Sequence, residues 1–206
     1  MYAIRKELVH AVIDRSFNLI DTNIHNDIHK QQEFQIQTVL ADESLTKEEK
    51  TEATKILSRD YDRDKLIYNV GTKRICENCN RKCLATTYCE FCIRNHLKMK
   101  FSSWTSGNDD IDSLIQTCQM ETIEPGRVAE WIPYDNLQNI KYLTEGGCSK
   151  IYTADWIDGC FWEWNSEKQQ FTRKFESSSQ SVILKRLENV ENASQSWLDE
   201  VCDLKI

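Results

Sequence analysis

Five of the nine cysteines of this 206-residue chain fall between positions 76 and 92, spaced Cys76-x2-Cys79-x3-Cys83-x5-Cys89-x2-Cys92, with His96 following. A segment so rich in thiols and so poor in bulky apolar residues cannot bury a core of its own and has to be stapled. Each Cys-x2-Cys pair sets two sulfurs on one tight turn, and two such turns complete the tetrahedral sulfur shell that zinc prefers. The nine residues between Cys79 and Cys89 leave room for a short hairpin or ribbon that brings the turns together. The expected ligands are Cys76, Cys79, Cys89 and Cys92, with Cys83 and His96 in reserve.

The redox setting agrees with metal binding. The first residues, Met1-Tyr-Ala-Ile-Arg-Lys-Glu, turn charged at once and carry no apolar core with a small-residue cleavage site, so a signal peptide is not expected. An odd number of cysteines in such a chain favours a metal over disulfides. Apolar residues make up 40% and charged residues 29%, with 26 basic against 33 acidic side chains, which excludes disordered, collagen-like and histone-like chains. No apolar run approaches the roughly 20 residues of a spanning helix. A soluble cytoplasmic protein without a membrane partner is expected.

Charge and breaker residues divide the chain. Residues 1–70 hold 10 basic and 13 acidic side chains, residues 71–100 hold 7 and 2, residues 101–140 hold 1 and 7, and residues 141–206 hold 8 and 11. One basic island therefore lies in an acidic chain, the mark of a module boundary. Neither glycine nor proline occurs before Gly71. Val9, Ile13, Phe17, Ile20, Ile24 and Ile28 recur at steps of three and four as one helical stripe. Thr46 with Glu49 forms a capping-box pattern for a second helix carrying Ala53, Ile56 or Leu57, Tyr61 and Leu66. The turn falls at Ala41-Asp-Glu-Ser-Leu, so residues 1–70 are expected to form a helical hairpin, in which His10, His25 and His29 are ordinary surface or cap residues. Residues 71–100 are the zinc module. Residues 101–135 form a helical connector: Ile111, Leu114, Ile115 and Cys118 make one helix, and Val128, Ala129, Trp131 and Ile132 a second that stops at Pro133.

Beyond Asn139 the period shortens to that of strands. Ile140-Lys-Tyr-Leu, Lys150 to Ile157 and Ser181 to Leu187 read as strands, with Gly146-Gly147 between the first two and Asp158-Gly159 ending the second. A polar, aromatic-rich insertion follows, and Asn192 with Gln195 caps a last helix carrying Trp197, Leu198 and Val201. The fold class expected for the whole chain is α+β.

The run Thr144-Glu-Gly-Gly-Cys-Ser-Lys-Ile-Tyr, the strand Val182-Ile-Leu-Lys185 and the helix carrying Glu200 resemble, in that order, the N-terminal lobe of a protein kinase. A longer likeness supports this. Cys76-x2-Cys79-Asn, Phe101-Ser-Ser-Trp-Thr-Ser-Gly-Asn with Ile111-Asp, and Glu130-Trp-Ile-Pro-Tyr are similar to an expanded group of fungal protein kinases with a cysteine-rich segment before the catalytic domain. The resemblance implies that residues 136–206 are a partial kinase N-lobe, an antiparallel sheet plus one helix. It implies ATP with magnesium as ligand, Lys185 on the phosphates, and Glu200 pairing with that lysine. Gly146 and Gly147, with Ser149, would lie in the phosphate loop, and Leu143, Ile151 and Ile183 around the adenine. Thr144 stands at the family's first loop glycine, Ser149 at the third and Cys148 at the loop tip.

No His-Arg-Asp or Asp-Phe-Gly run occurs in the 206 residues. The chain is therefore expected to be a fragment truncated after that helix, inactive alone in phosphoryl transfer, with serine/threonine or tyrosine specificity open. Its partners would be ATP and a protein substrate or an intact kinase relative that it modulates. The alternative is a non-catalytic adaptor whose zinc module binds protein or RNA. Four thiolates on a divalent ion would lower the module's net charge of +5 to about +3. With Tyr88 and Phe91 as its only aromatics, it offers no base-stacking platform, so a structural role is preferred to nucleic-acid binding.

Overall fold

A computed structural model describes residues 4–146, 149–174 and 179–187. The class is mixed α and β, with five α-helices and small antiparallel sheets among the described residues. The chain forms two compact units, Met1–Cys89 and Glu90–Ile206.

The first unit contains α1 (Lys6–Asn18), α2 (Ile28–Ala41), α3 (Lys47–Tyr68) and the two-residue strands β1 (Arg74–Ile75) and β2 (Lys82–Cys83). Three helices stand where a hairpin of two was expected. The apolar period does run on from Val9 to Ile28, but the backbone breaks beneath it, because side-chain oxygens compete for its amides. Asp21 accepts from the Asn23 amide at 2.8 Å, and Asp27 accepts from the His29 and Lys30 amides at 2.9 Å each, which caps α2. Phe17 and Ile24, two members of the supposed stripe, are left exposed.

Val9, Val12 and Ile13 of α1, Val39 of α2, Leu45, and Ala53 and Leu57 of α3 form the core. Each large aliphatic member contributes on the order of 1.5–3 kcal/mol by leaving water. The start of α3 follows the capping box: Thr46 Oγ1 accepts from the Glu49 amide at 3.3 Å, and the Glu49 carboxylate accepts from the Thr46 amide at 2.9 Å. Glu49 also receives Arg5 through its amide and guanidinium, which holds the Glu49 carboxyl well below the usual range. Farther along α3 the buried face does not run through Tyr61 and Leu66. It runs through Asp62 and Lys65.

In the second unit α4 (Glu90–Met99) and α5 (Asp109–Glu121) are tied by Arg94, whose Nε donates to the Thr122 carbonyl at 2.9 Å. The Thr105-Ser-Gly-Asn run is a helix entry. Asn108 caps α5, and Asp112 accepts from Thr105 Oγ1 at 2.6 Å and from the Ser106 amide at 2.7 Å. The second connector helix is not formed. Only Pro125–Arg127 makes a 3-10 turn, and residues 128–133 are non-helical. Pro133 disfavours helix just before it, and Glu130 is used elsewhere: it accepts from the Phe161 amide at 2.7 Å and pairs with Arg173 at 3.0 Å.

The strands β3 (Leu137–Gly146), β4 (Ser149–Trp156) and, later, β7 (Gln180–Leu187) make one antiparallel sheet in the order β3-β4-β7. The insertion between β4 and β7 is itself a hairpin of β5 (Phe161–Asn165) and β6 (Gln170–Arg173). Its Trp164 and Phe171 meet the ring of His96 on α4 at 5.3 and 5.6 Å. The expected last helix, with Glu200, lies outside the described residues, as do Gly147 and Cys148.

Candidate functional site

The cysteine turns are built by backbone hydrogen bonds. β1 pairs with β2 in the register Arg74–Cys83 and Ile75–Lys82. Beyond it the Cys76 amide donates to the Arg81 carbonyl at 2.9 Å, and the Asn80 amide to the Cys76 carbonyl at 2.8 Å. Asn80 closes the turn at φ 56°, a left-handed conformation that asparagine adopts more readily than most residues. The second pair is set by a helix start: Cys89 immediately precedes α4 and Cys92 lies in its first turn. The positive end of the helix dipole favours negative charge, and so favours the thiolate, the form that binds metal.

The sulfurs of Cys76, Cys79, Cys89 and Cys92 all lie within 4.8 Å of one another. Cys79 and Cys89 are 3.7 Å apart. With zinc–sulfur bonds of about 2.3 Å, the edge of a tetrahedral shell is about 3.8 Å. These four cysteines could hold a metal ion, and the donor set fits zinc. Neither reserve belongs to the four-cysteine set. His96 packs edge-on against Trp164 and Phe171, and burial, reinforced by the Lys100 charge, holds its imidazole below the usual range. The thiol of Cys83, wholly buried, donates to the Arg74 carbonyl at 3.6 Å.

The residues that hold the loop before Cys89 went unseen in the sequence. Asp62 of α3 is fully buried, and one of its oxygens accepts from the amide and hydroxyl of Thr86 while the other accepts from those of Thr87, all at 2.7 Å. Lys65, one turn on, pairs with Asp62 at 2.8 Å and donates to the Leu84 carbonyl at 2.7 Å. Burial alone would raise the Asp62 carboxyl; the lysine and the threonine donors outweigh it and hold it below the usual range. Arg74 braces the same loop by donating to the Ala85 and Tyr88 carbonyls.

Of the residues expected at the nucleotide, Leu143, Gly146, Ser149, Ile151 and Lys185 lie on the three-stranded sheet, and Gly147 and Glu200 lie outside the described residues. Lys185 of β7 stands opposite Ile151 of β4, and Ile151 stands opposite Thr144 of β3. Directly paired residues share a face, so these three form a row. Ile183, paired with Thr153, lies on that face one step along and is exposed. The opposite face carries Ala154 and Trp156, both buried. Leu143 sits where the pairing shifts between Tyr142 and Thr144 and is exposed. Gly146 pairs with Ser149 at the end of the ladder. Its φ is outside the left-handed region, and a Cβ built on it meets none of the described residues within 4 Å. Neither backbone conformation nor packing against the described residues requires a glycine there.

Comparison with protein-family models, with curated proteins and with solved structures finds no match to this chain.

Proposed function

We infer that the chain is a protein-kinase-like ATP-binding protein in which a structural zinc module precedes a nucleotide-facing sheet. The observation that carries this reading is the row Thr144, Ile151 and Lys185 on one face, two residues along the strands from the Gly146–Ser149 pair. Lys185 would take the α- and β-phosphates as a charge-assisted donor, with Glu200 as its partner. The chain between Gly146 and Ser149 would offer backbone amides to the phosphates, and Gly146 would let them come close because no Cβ intervenes. Ile151, Leu143 and Ile183 would supply apolar contact to the adenine. Magnesium would enter with the ATP, neutralising charge between phosphates. The activity assigned is binding, and no catalytic residue is assigned.

Zinc at Cys76, Cys79, Cys89 and Cys92 would supply the folding free energy that a segment of this size cannot draw from a core. A soluble, cytoplasmic location belongs to the same reading; among the described residues no helix is long and apolar enough to cross a membrane.

Calorimetric titration of the zinc-loaded chain with ATP and magnesium tests the proposal. Saturable binding is expected, weakened about tenfold or more in Lys185→Ala, as follows from losing a charge-assisted contact. Absence of binding, or equal affinity in the variant, removes it. The adaptor reading draws on a separate observation, the exposure of Phe17, Leu19 and Ile24 around the end of α1. It is the one left standing if the metal binds and ATP does not.

A further inference from the structure

Beside the four-cysteine set lies a second convergence of ligand-type side chains. Cys83 at the end of β2, Cys89, and Glu90 at the start of α4 bring two sulfurs and a carboxylate oxygen within 4.8 Å of one another. All three are buried, with exposures of 0%, 3% and 5%. Cys89 belongs to both sets. A thiolate keeps lone pairs after binding one metal, so its sulfur can bridge two ions. We propose that the module holds a pair of zinc ions sharing Cys89: the first on Cys76, Cys79, Cys89 and Cys92, the second on Cys83, Cys89 and Glu90. The inference rests on the four-cysteine metal site and is independent of the nucleotide.

Charge favours the arrangement. Four thiolates around one divalent ion leave two negative charges in a buried place, and such an anionic centre attracts a further cation. Five thiolates and one carboxylate around two divalent ions leave the same residual charge, so the second ion also neutralises Glu90 and Cys83. Binding requires Cys83 as a thiolate, and the proton its thiol now directs at the Arg74 carbonyl passes to solvent as the metal enters. Three protein ligands leave a position for water, a coordination number that zinc accepts.

Metal content of the full chain, refolded with excess zinc and desalted, decides the matter. About two ions per chain are expected in the wild type and about one in Cys83→Ala, in line with loss of one shared-thiolate site. Substitution by cadmium-113 should give two resonances split by coupling through the shared sulfur, and one unsplit resonance in the variant. One ion in the wild type overturns the pair and leaves the four-cysteine site intact. Two ions in both proteins put the second ion elsewhere and also overturn it. No ion in the wild type removes both sites. Should Cys83→Ala not fold, Glu90→Gln takes its place: an unsplit, single cadmium resonance there supports the shared site, and an unchanged split pair refutes it.

Discussion

Asp62 joins the helical core to the loop that leads into Cys89, and its removal has a calculable cost. The side chain is fully buried and carries four threonine donors and the Lys65 ammonium. Asp62→Ala leaves that ammonium, itself 2% exposed, in the interior without its counter-ion. Breaking a buried pair from one side costs about 3–5 kcal/mol, most of it the stranded charge. The double variant Asp62→Ala/Lys65→Met strands no charge and should lose less than Asp62→Ala alone. The assay separates the units, because all six tryptophans lie at or beyond Trp104. The helical circular-dichroism signal, dominated by α1 to α3, follows the first unit, and tryptophan fluorescence follows the second. In denaturant titration of the zinc-loaded chain the helical transition should move to lower denaturant. Asp62 titrates lower in the folded state than its unfolded value of about 3.9, so its contribution is complete above that pH and fades as the pH falls further. A loss under about 1 kcal/mol, or a double variant as unstable as the sum of its singles, would refute the latch.

Chelation by EDTA should open the cysteine segment, with trypsin then cutting at Lys73, Arg74, Arg81 and Lys82 and added zinc restoring resistance; an unchanged digest counts against the metal centre. Burial raises the Glu130 carboxyl despite the Phe161 amide and Arg173, so the folded state keeps its proton longer and the group's contribution falls as pH rises above about 4.3. Glu130→Gln, which mimics the protonated form, should be at least as stable as wild type at pH 7 by fluorescence. Glu130→Ala should lose about 1–3 kcal/mol by orphaning the Phe161 amide, and equal behaviour of the two variants contradicts this.

What could be read from the sequence was local. The cysteine spacing sufficed because both Cys-x2-Cys pairs are set locally, one by a turn and one by a helix start, and Thr46 with Glu49 sufficed because a capping box needs four residues. The strands around Gly146 and at Ser181–Leu187 announced themselves by period. Long-range compensation stayed hidden. Asp62 and Lys65 stand in the charged run Arg59-Asp-Tyr-Asp-Arg-Asp-Lys65, which reads as a solvated face until Thr86 and Thr87 arrive 24 and 25 residues later. The break after α1 was masked because hydrophobic steps of three and four continued through turns held by Asp21 and Asp27. Residues 128–133 look helical by composition and are overridden by the hairpin that Glu130 engages. The start of α4 was read as a cysteine turn alone, although Glu90 in its first turn and the apolar positions Ile93 and Leu97 mark a helix.

Methyl NMR of the zinc-loaded chain during titration with ATP and magnesium tests the nucleotide face most directly. Thr144, Ile151 and Ile183 share one side of the sheet, whereas Ala154, Val182 and Leu184 share the other. The account predicts that the first group shifts, together with Leu143, while the second stays in place. Shifts confined to the second group, or none in either at saturating ATP, would contradict it.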